Sequence, residues 1–363
     1  MYKIKQITQK ITEVDFKLMD EAQKRLDNLT KPQGSLGRLE ELAKQIVGIT
    51  GKETPKLKNK VIFTLAADHG VAEERVSAYP TEVTAQMVYN FLNGGAGINV
   101  LARHVGVKVV IVDIGVAQDL KTSSELVINK INYGTKNMVK GPAMTKQEAI
   151  KAIETGIEIF ENEFFAKGKS AFGGKNGIDI VGIGDMGIGN TTAASAITVC
   201  FTKRAVEDVT GRGAGLDDKG LANKIRIIKK ALKVNKPDPL DPLDVLSKVG
   251  GFEIGGLAGI ILAAAVKKIP IVIDGFISGA AALIAYHIEP KTKDYMIAAH
   301  VSVEKGHRII LKTIGLEPLL DLNLRLGEGT GAALGISIAE AAIKILTQMA
   351  TFKGARVSEK IKL

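Results

Sequence analysis

Residues 182–196 read GIGDMGIGNTTAASA and follow the apolar run Ile178–Val181. Four glycines fall in eight positions, and a run of small residues with helical character comes next. A short apolar run leading through bare backbone into a helix is the strand–turn–helix step of a parallel α/β sheet. Glycines 184, 187 and 189 let the backbone turn and approach a ligand without Cβ interference. The following helix offers unpaired N–H groups and the positive end of its dipole, and Asn190, Thr191 and Thr192 add side-chain donors. That combination suits a phosphate. No Gly-Lys-Ser/Thr follows, so this is no Walker loop. The spacing also misses the dinucleotide fingerprint, and no acidic residue ends a second strand about 20 residues later. Close strand–helix packing is the alternative use for the same glycines.

The same rhythm recurs from residue 60 onward. KVIFTLAADHG, VKVVIVDIGVA, GIDIVGIGDMG and PIVIDGF are short, β-branched apolar runs separated by helical stretches. Unbroken apolar runs suit strands buried on both faces of a parallel sheet. The expected fold is α/β: a parallel β-sheet flanked by helices in a three-layer, Rossmann-like arrangement. Each run ends on an aspartate beside or near glycine, namely Asp68, Asp113, Asp185 and Asp274, and YMIAAHVSVEKGH gives a further end near His300. Ligands of open parallel sheets bind beyond the carboxyl ends of the strands, so four runs that end alike predict one cleft rim. Alternatively, each Asp-Gly merely turns the chain.

Two helices are expected to open the chain. TEVDFKLMDEAQKRLDNL places Leu18, Ala22, Leu26 and Leu29 on one face, with Thr12 as N-cap and Asp15 three residues on. KPQGSLGRLEELAKQI makes a Pro/Gly turn, then sets Leu36, Leu39, Leu42, Ala43 and Ile46 at helical spacing. Near the other end, GTGAALGISIAEAAIKILTQM reads as a tightly packing small-residue helix. These segments predict a small helical domain from 1–58 plus about 335–363, set on a large α/β catalytic domain over 59–334.

The 363 residues are 45% hydrophobic, enough for a sizeable core. No apolar run reaches the roughly 18 residues of a spanning helix; GGLAGIILAAAV is too short and closes on Lys267 and Lys268. The polar, Lys-rich start has no apolar h-region, so no signal peptide is expected. Cys200 stands alone, which leaves no internal disulfide and no cysteine-cluster metal site. A soluble cytoplasmic protein is the expectation. The 49 basic residues outnumber 39 acidic ones, for a formal charge of +10. Aromatics are only 5%, Trp is absent and the lysines are scattered, which argues against nucleic acid as partner. A solvated lysine-rich surface is the expected meaning of this balance, with local attraction for a small anionic substrate as the alternative.

Three further segments carry chemistry. TGRGAGLDDKGLANK (210–224) sets Arg212, Lys219 and Lys224 on a second glycine stretch, as the rest of a phosphate cradle or as a connection with solvated lysines. LRLGEGTGAAL (324–334) puts Glu328 between glycines ahead of an apolar helix. Walled by Leu326 and small residues, its carboxylate would be partly desolvated, which raises the pKa and strengthens it as a proton acceptor. A helix N-cap or dipole partner is the competing role. Residues 67–106 join Asp68-His69 to a loop with Tyr79 and Pro80, then to a helix with Gln86, Met87 and Phe91. A benzenoid ligand fits against Tyr79, Met87 and the Ala78 backbone, although Met87 and Phe91 equally suit plain core. The five histidines form no metal pattern, and there is neither a GxSxG elbow nor a cysteine nucleophile. No metal and no cofactor is expected.

Taken together, the chain closely resembles the nicotinate-nucleotide:dimethylbenzimidazole phosphoribosyltransferase family. The resemblance runs through KPQGSLGRLEELA, ADHGV, PTEVTAQMV, GGAGINVLAR, GDMGIGNTTAASA, GRGAGLDD, EIGGLAGIILAAA, VIDGFISGAAAL, HVSVEKGH and LDLNLRLGEGTGAAL, in order along nearly its whole length. It implies that nicotinate mononucleotide gives its 5-phosphoribosyl group to 5,6-dimethylbenzimidazole, yielding α-ribazole 5′-phosphate and nicotinate in assembly of the cobalamin lower ligand. By position it implies Glu328 as catalytic base, and Gly187, Gly189, Asn190 and Thr191 as the phosphate loop with Lys224 close by. Ala78, Tyr79, Gln86, Met186 and Leu326 fall where the family lines the base pocket. A homodimer with the pocket near its interface is also implied. Two positions depart from the pattern. Asp185, in the phosphate and ribose region, stands where Glu is expected and is one methylene shorter; Ala78 stands where some members have Ser, which bears on base preference.

The chemistry fits. The leaving pyridinium is already cationic, so its departure needs no metal-bound pyrophosphate. The attacking azole becomes cationic unless the proton on its other nitrogen leaves, and one carboxylate with a raised pKa is the part required. A flat apolar pocket discriminates a methyl group by only about 1–3 kcal/mol. Transfer to a different benzimidazole, adenine or a phenol is therefore the alternative reading. A non-catalytic nucleotide sensor would have no use for a desolvated base, and a dehydrogenase fits least.

Overall fold

The computed structural model describes residues 2–165 and 177–358. Six strands, β1 (Lys60–Ala67), β2 (Lys108–Gly115), β3 (Leu126–Ile128), β4 (Ile180–Met186), β5 (Ile271–Ile273) and β6 (Met296–Ala298), make one sheet. Their order is β3-β2-β1-β4-β5-β6, and every neighbouring pair is parallel. The chain starts at the centre, winds outward through β2 and β3, returns to β4 and winds out the other way. Connections therefore diverge between β1 and β4, and the crevice beyond their carboxyl ends is the natural ligand position of such a sheet. The expected parallel α/β architecture is what forms. Strand β3, only three residues of ELVIN, carries too short an apolar run to be read in advance.

Alternate strand residues feed two cores. Val61, Phe63 and Leu65 of β1, with Val181 and Ile183 of β4, pack with the helices Phe252–Val266 and Lys146–Phe165. Ile62 and Ala66, with Ile180 and Val272, face the opposite layer of helices Phe16–Asp27, Arg38–Thr50, Gly97–Val105 and Thr330–Gln348. Burial on both faces is why the strands read as unbroken apolar runs. Helices from both ends of the chain meet on the second face, where Leu26, Leu42 and Ile46 share a core with Ile336 and Ile343. The Lys60–Glu340 ion pair, 2.6 Å, ties the start of β1 to the same layer.

Two glycines of β4 make the seat for the 330–348 helix. A Cβ at Gly182 would lie 3.1 Å from the Ala332 Cβ, and one at Gly184 only 2.3 Å from the Glu328 carbonyl. Part of GIGDMG is thus a groove in the sheet surface, where another backbone approaches closely. Among the described residues, the 330–348 helix is also the one long and apolar enough to cross a membrane; 56% of that stretch is buried inside the fold.

The N-terminal reading needs two corrections. Asp15 caps the 16–27 helix, its side chain accepting from the Leu18 amide at 3.0 Å; Thr12 does not. Thr12 lies three residues upstream, and its carbonyl accepts from the Tyr295 hydroxyl at 3.0 Å. A further short helix, Tyr2–Thr8, precedes both, and its two buried isoleucines, Ile4 and Ile7, are too few to announce it in the sequence.

Helices 146–165 and 252–266 cross with backbones in contact. A Cβ at Gly156 would lie 1.9 Å from the Gly256 carbonyl oxygen, and one at Gly259 2.0 Å from that of Ile153. Gly156→Ala must push the helices apart, and overpacking of this kind costs about 1–3 kcal/mol. Thermal unfolding is expected to show a clearly lowered midpoint for this variant. An unchanged midpoint would mean that the crossing has room.

Candidate active site

The site assembles at the divergence between β1 and β4. Strand β1 leads into Asp68-His69 and β4 into Met186-Gly187, with Leu65 and Asp185 paired in register. The 327–329 turn descends on the same place. Glu328 is buried with φ 64°, flanked by Gly327 at 80° and Gly329 at 98°. A left-handed backbone at a residue with a side chain costs about 1–3 kcal/mol and persists only where neighbours enforce it. Here the Glu328 amide donates to the Asp185 carbonyl at 3.2 Å, and the Thr64 hydroxyl donates to the Glu328 carbonyl at 2.8 Å. The amides of Gly329 and Ala332 donate to the Asp274 carboxylate at 3.1 and 3.0 Å.

With its backbone held, the Glu328 side chain turns inward. Oε2 accepts from the Ile98 amide, 3.0 Å away in the first turn of the 97–105 helix. Burial raises the Glu328 pKa, against this hydrogen bond, which lowers it. The carboxylate thus serves a helix N-terminus, though of a different helix from the one following it in sequence, and is also a strengthened proton acceptor. A Cβ at Gly97 would lie 2.9 Å from Leu326 Cδ2 and 3.3 Å from Glu328 Oε2, so Leu326 and the carboxylate share the space above that glycine.

Gly189, at φ 97°, caps the helix Asn190–Thr202. Lys224, fully buried on the helix Asp218–Asn235, donates to the Thr191 hydroxyl at 2.7 Å. Burial pushes its pKa down to about 8, against the charge of Glu304, which raises it. A buried ammonium whose hydrogen-bond partner among the described residues is a neutral hydroxyl is poorly compensated, and an anion would complete it. The 211–213 loop is fixed by Glu304, which accepts from the Gly213 amide at 2.9 Å. Arg212 does not point to the cradle: it donates to the Leu216 carbonyl at 2.9 Å and pairs with Asp218.

Several side chains are already engaged. Asn190 donates to Asp185 at 3.0 Å, while the other Asp185 oxygen is buried without a hydrogen-bond partner among the described residues. Burial, with the charges of Asp274 and Glu253, raises Asp185 well above the ordinary aspartate range. A Cβ at Gly187 would lie 2.3 Å from the Ala67 carbonyl oxygen, so packing alone requires that glycine. Thr192 is fully buried. The strand-end aspartates divide. Asp113 turns the chain, accepting from the Gly115 and Val116 amides at 3.1 and 2.9 Å and pairing with Lys130 at 3.0 Å. Asp274 caps the 330–348 helix, and burial raises its pKa to about 7. Asp68 accepts from the Ala117 amide at 2.8 Å. His300 is buried 4.0 Å from Asp274, and burial drives it down to about 4.

On the open side, Tyr79 is 54% and Leu326 60% exposed, Ala78 and Gln86 are exposed, and Met186 is half-buried. Gln86 sits on the helix Glu82–Leu92, whose Thr84 hydroxyl accepts from the Ile188 amide at 3.1 Å, tying this side to the glycine loop. The sequence reading missed three groups: the His69–Glu253 pair at 2.7 Å, Glu304 beneath the 211–213 loop, and Asp274 as a cap. The one local signal was the Gly250-Gly251 pair ahead of Glu253. Among the described residues, no three His, Cys, Asp or Glu side chains converge as a metal-ligand set.

A family model described as phosphoribosyltransferase matches residues 11–357. The nicotinate-nucleotide–dimethylbenzimidazole phosphoribosyltransferase of Geobacter sulfurreducens is 56% identical over 350 residues, covering 96% of this chain and 97% of its own. That of Desulforudis audaxviator is 55% identical over 356 residues, 98% of each. The chain belongs to this phosphoribosyltransferase family. CobT from Thermus thermophilus, a solved structure, matches with a TM-score of 0.89 and 43% identity, covering 95% of this chain and 100% of that one. Like its family, the protein is an enzyme of the pentosyltransferase class.

For a phosphoribosyltransferase built this way, Gly184 is a sensitive position. Gly184→Ala must displace the Glu328 turn; if that carboxylate takes part in the chemistry, a shift of about 1 Å costs on the order of 10²-fold in rate. Steady-state assay of this variant is expected to show that loss in protein that still melts cooperatively. Wild-type turnover would show that the turn needs no seat on β4.

Proposed function

We propose that this protein transfers the 5-phosphoribosyl group of nicotinate mononucleotide to 5,6-dimethylbenzimidazole, giving α-ribazole 5′-phosphate and nicotinate for the lower ligand of cobalamin. The observation that carries this reading is Glu328, a buried carboxylate with a raised pKa, held by hydrogen bonds to β1 and β4 where the connections diverge. In this reading the donor phosphate lies against Lys224, Thr191 and the amides from Gly187 to Asn190, with Gly189 at the turn and Asp185 toward the ribose. The acceptor lies against Leu326 and Met186, with Ala78, Tyr79 and Gln86 on the open side.

The acceptor's ring nitrogen forms a bond to the anomeric carbon as the bond to the pyridinium nitrogen breaks. That electron pair returns to the leaving ring, which departs as neutral pyridine carrying its carboxylate. The proton on the acceptor's second nitrogen passes to Glu328, so no second positive charge builds up. Proton transfer of this kind is worth about 10²–10⁴ in rate, and fixing the phosphate supplies orientation. The apolar walls constrain the acceptor least, so other benzimidazoles, adenine and phenols are its competitors. The same reading includes a homodimer near the base pocket, which the exposure of Tyr79 and Leu326 in the single chain supports. It also includes a cytoplasmic setting and the division into 1–58 plus about 335–363 against 59–334.

Incubation with nicotinate mononucleotide and a panel of bases, with products identified by mass, tests the proposal. The expected product is the ribazole phosphate, with dimethylbenzimidazole giving the highest kcat/KM. A preferred adenine or phenol would reassign the acceptor, and no nucleoside phosphate from any base would overturn the reaction.

Two expectations follow for the residues. Glu328→Gln should retain mononucleotide binding while kcat falls about 10²–10⁴-fold; wild-type rates would remove Glu328 from the chemistry. The pH profile of kcat/KM should be bell-shaped. Its acid limb should lie above the ordinary glutamate value of 4.5, because Glu328 must be ionised and its pKa is raised. The basic limb should fall near pH 8 as Lys224 loses its proton. Lys224→Arg should move that limb to higher pH, and a profile unchanged by this substitution would separate Lys224 from phosphate binding.

A further inference from the structure

His69 and Glu253 take no part in the chemistry above, yet they are the most completely buried ion pair in the protein's described residues. Their side chains are 1% and 0% exposed, with Nε2 and Oε1 2.7 Å apart. Burial works against the imidazolium, but the charge and hydrogen bond of Glu253, with the charge of Asp68, outweigh it, and the His69 pKa is raised. Breaking such a pair by removing one partner leaves an uncompensated charge, so its retention calls for a reason.

The surroundings supply one. A Cβ at Gly187 would lie 3.4 Å from both Cδ2 and Nε2 of His69, and a Cβ at Gly189 would lie 3.3 Å from the His69 Cβ. Both glycines of the anion loop therefore lie beside this one residue, Gly187 next to its ring as well as the Ala67 carbonyl, and Gly189 next to its Cβ. On the opposite side, a Cβ at Gly251 would lie 2.4 Å from His69 Cε1 and 2.6 Å from Glu253 Oε2. The missing side chain at Gly251, which caps the 252–266 helix, is what lets Glu253 reach the ring.

We propose that His69, held by Glu253, is the positioning residue of the anion cradle: its side chain packs along the Gly187–Gly189 turn, with the imidazole beside Gly187 and the Cβ beside Gly189. Through that turn it sets the direction of the amides at the start of the 190–202 helix. The inference rests on the phosphoribosyl reading only for the identity of the anion.

Three variants test it: Glu253→Ala, which removes the partner, Glu253→Gln, which keeps an oxygen acceptor for the same ring, and His69→Gln. Binding of inorganic phosphate is measured by titration calorimetry, and KM is measured separately for nicotinate mononucleotide and for the base. Glu253→Ala and His69→Gln should weaken phosphate binding and raise the mononucleotide KM by about tenfold or more, the worth of a hydrogen bond to a charged group. The base KM should stay within about twofold, inside the spread that leaves a binding free energy essentially unaltered. Glu253→Gln should recover most of the loss. Should Glu253→Ala fail to fold, His69→Gln and Glu253→Gln carry the test. Unchanged phosphate affinity in folded His69→Gln, or both KM values rising together, would overturn the proposal. Wild-type protein that binds phosphate yet transfers nothing would overturn the transferase reading alone, and the phosphate titrations would still decide the role of the pair.

Discussion

The Glu328 turn can hold a buried carboxylate in a left-handed backbone because β4 has no side chain at Gly184. With that atom missing, the 327–329 backbone lies directly on the sheet, and three strands anchor it. Thr64 follows from β1, Asp185 from β4, and Asp274 from the end of β5. Each hydrogen bond offsets part of the backbone strain, and together they leave the side chain one direction, inward toward Gly97 and the Ile98 amide. Seating the 330–348 helix, closing the second core and aiming the Glu328 carboxylate are consequences of one close approach.

The site that results is rich in buried acid. Asp68, Asp185, Asp274, Glu253 and Glu328 are all buried, against two buried basic side chains nearby, His69 and Lys224. Burial is the leading cause of the raised pKa values at Asp68, Asp185, Asp274 and Glu328. A raised carboxyl pKa means that the folded state holds its proton more tightly than the unfolded chain does. The associated stability is fully present below the ordinary carboxylate pKa and is lost as pH rises, through about 7 for Asp274. At neutral pH the cluster therefore costs stability, as sites tuned for proton transfer commonly do. In the proposed reaction its two ends suit a donor that is itself divided, with a cationic ring for the acids and a phosphate for Lys224.

The strands were legible because burial on both faces erases alternation, and KVIFTLAA or VKVVIVDIG can then be little else. The burial of the glycine-flanked Glu328 carboxylate was legible too, since Leu326 and small residues wall it in ahead of an apolar helix. Gly182 and Gly184 were harder. A glycine serving a ligand and one serving another backbone look the same in sequence, and only the partner, 144 residues away for Gly184 and Glu328, tells them apart. The Asp-Gly strand ends show the same ambiguity resolving in both directions, with Asp113 making a turn and Asp274 capping a distant helix. The His69–Glu253 pair left almost no trace, because a contact between residues 69 and 253 has no local period. Asp15 displaced Thr12 as N-cap because the helix begins at Phe16, where backbone geometry outranks the spacing of acidic and hydroxyl residues.

The most direct measurement is a crystal structure of the protein with nicotinate mononucleotide and an acceptor base bound together. The account expects the phosphate against Lys224 and Thr191, and a Glu328 carboxylate oxygen within hydrogen-bond distance of the ring N–H that must be lost. A base bound elsewhere, with Glu328 still serving only the Ile98 amide, would contradict it.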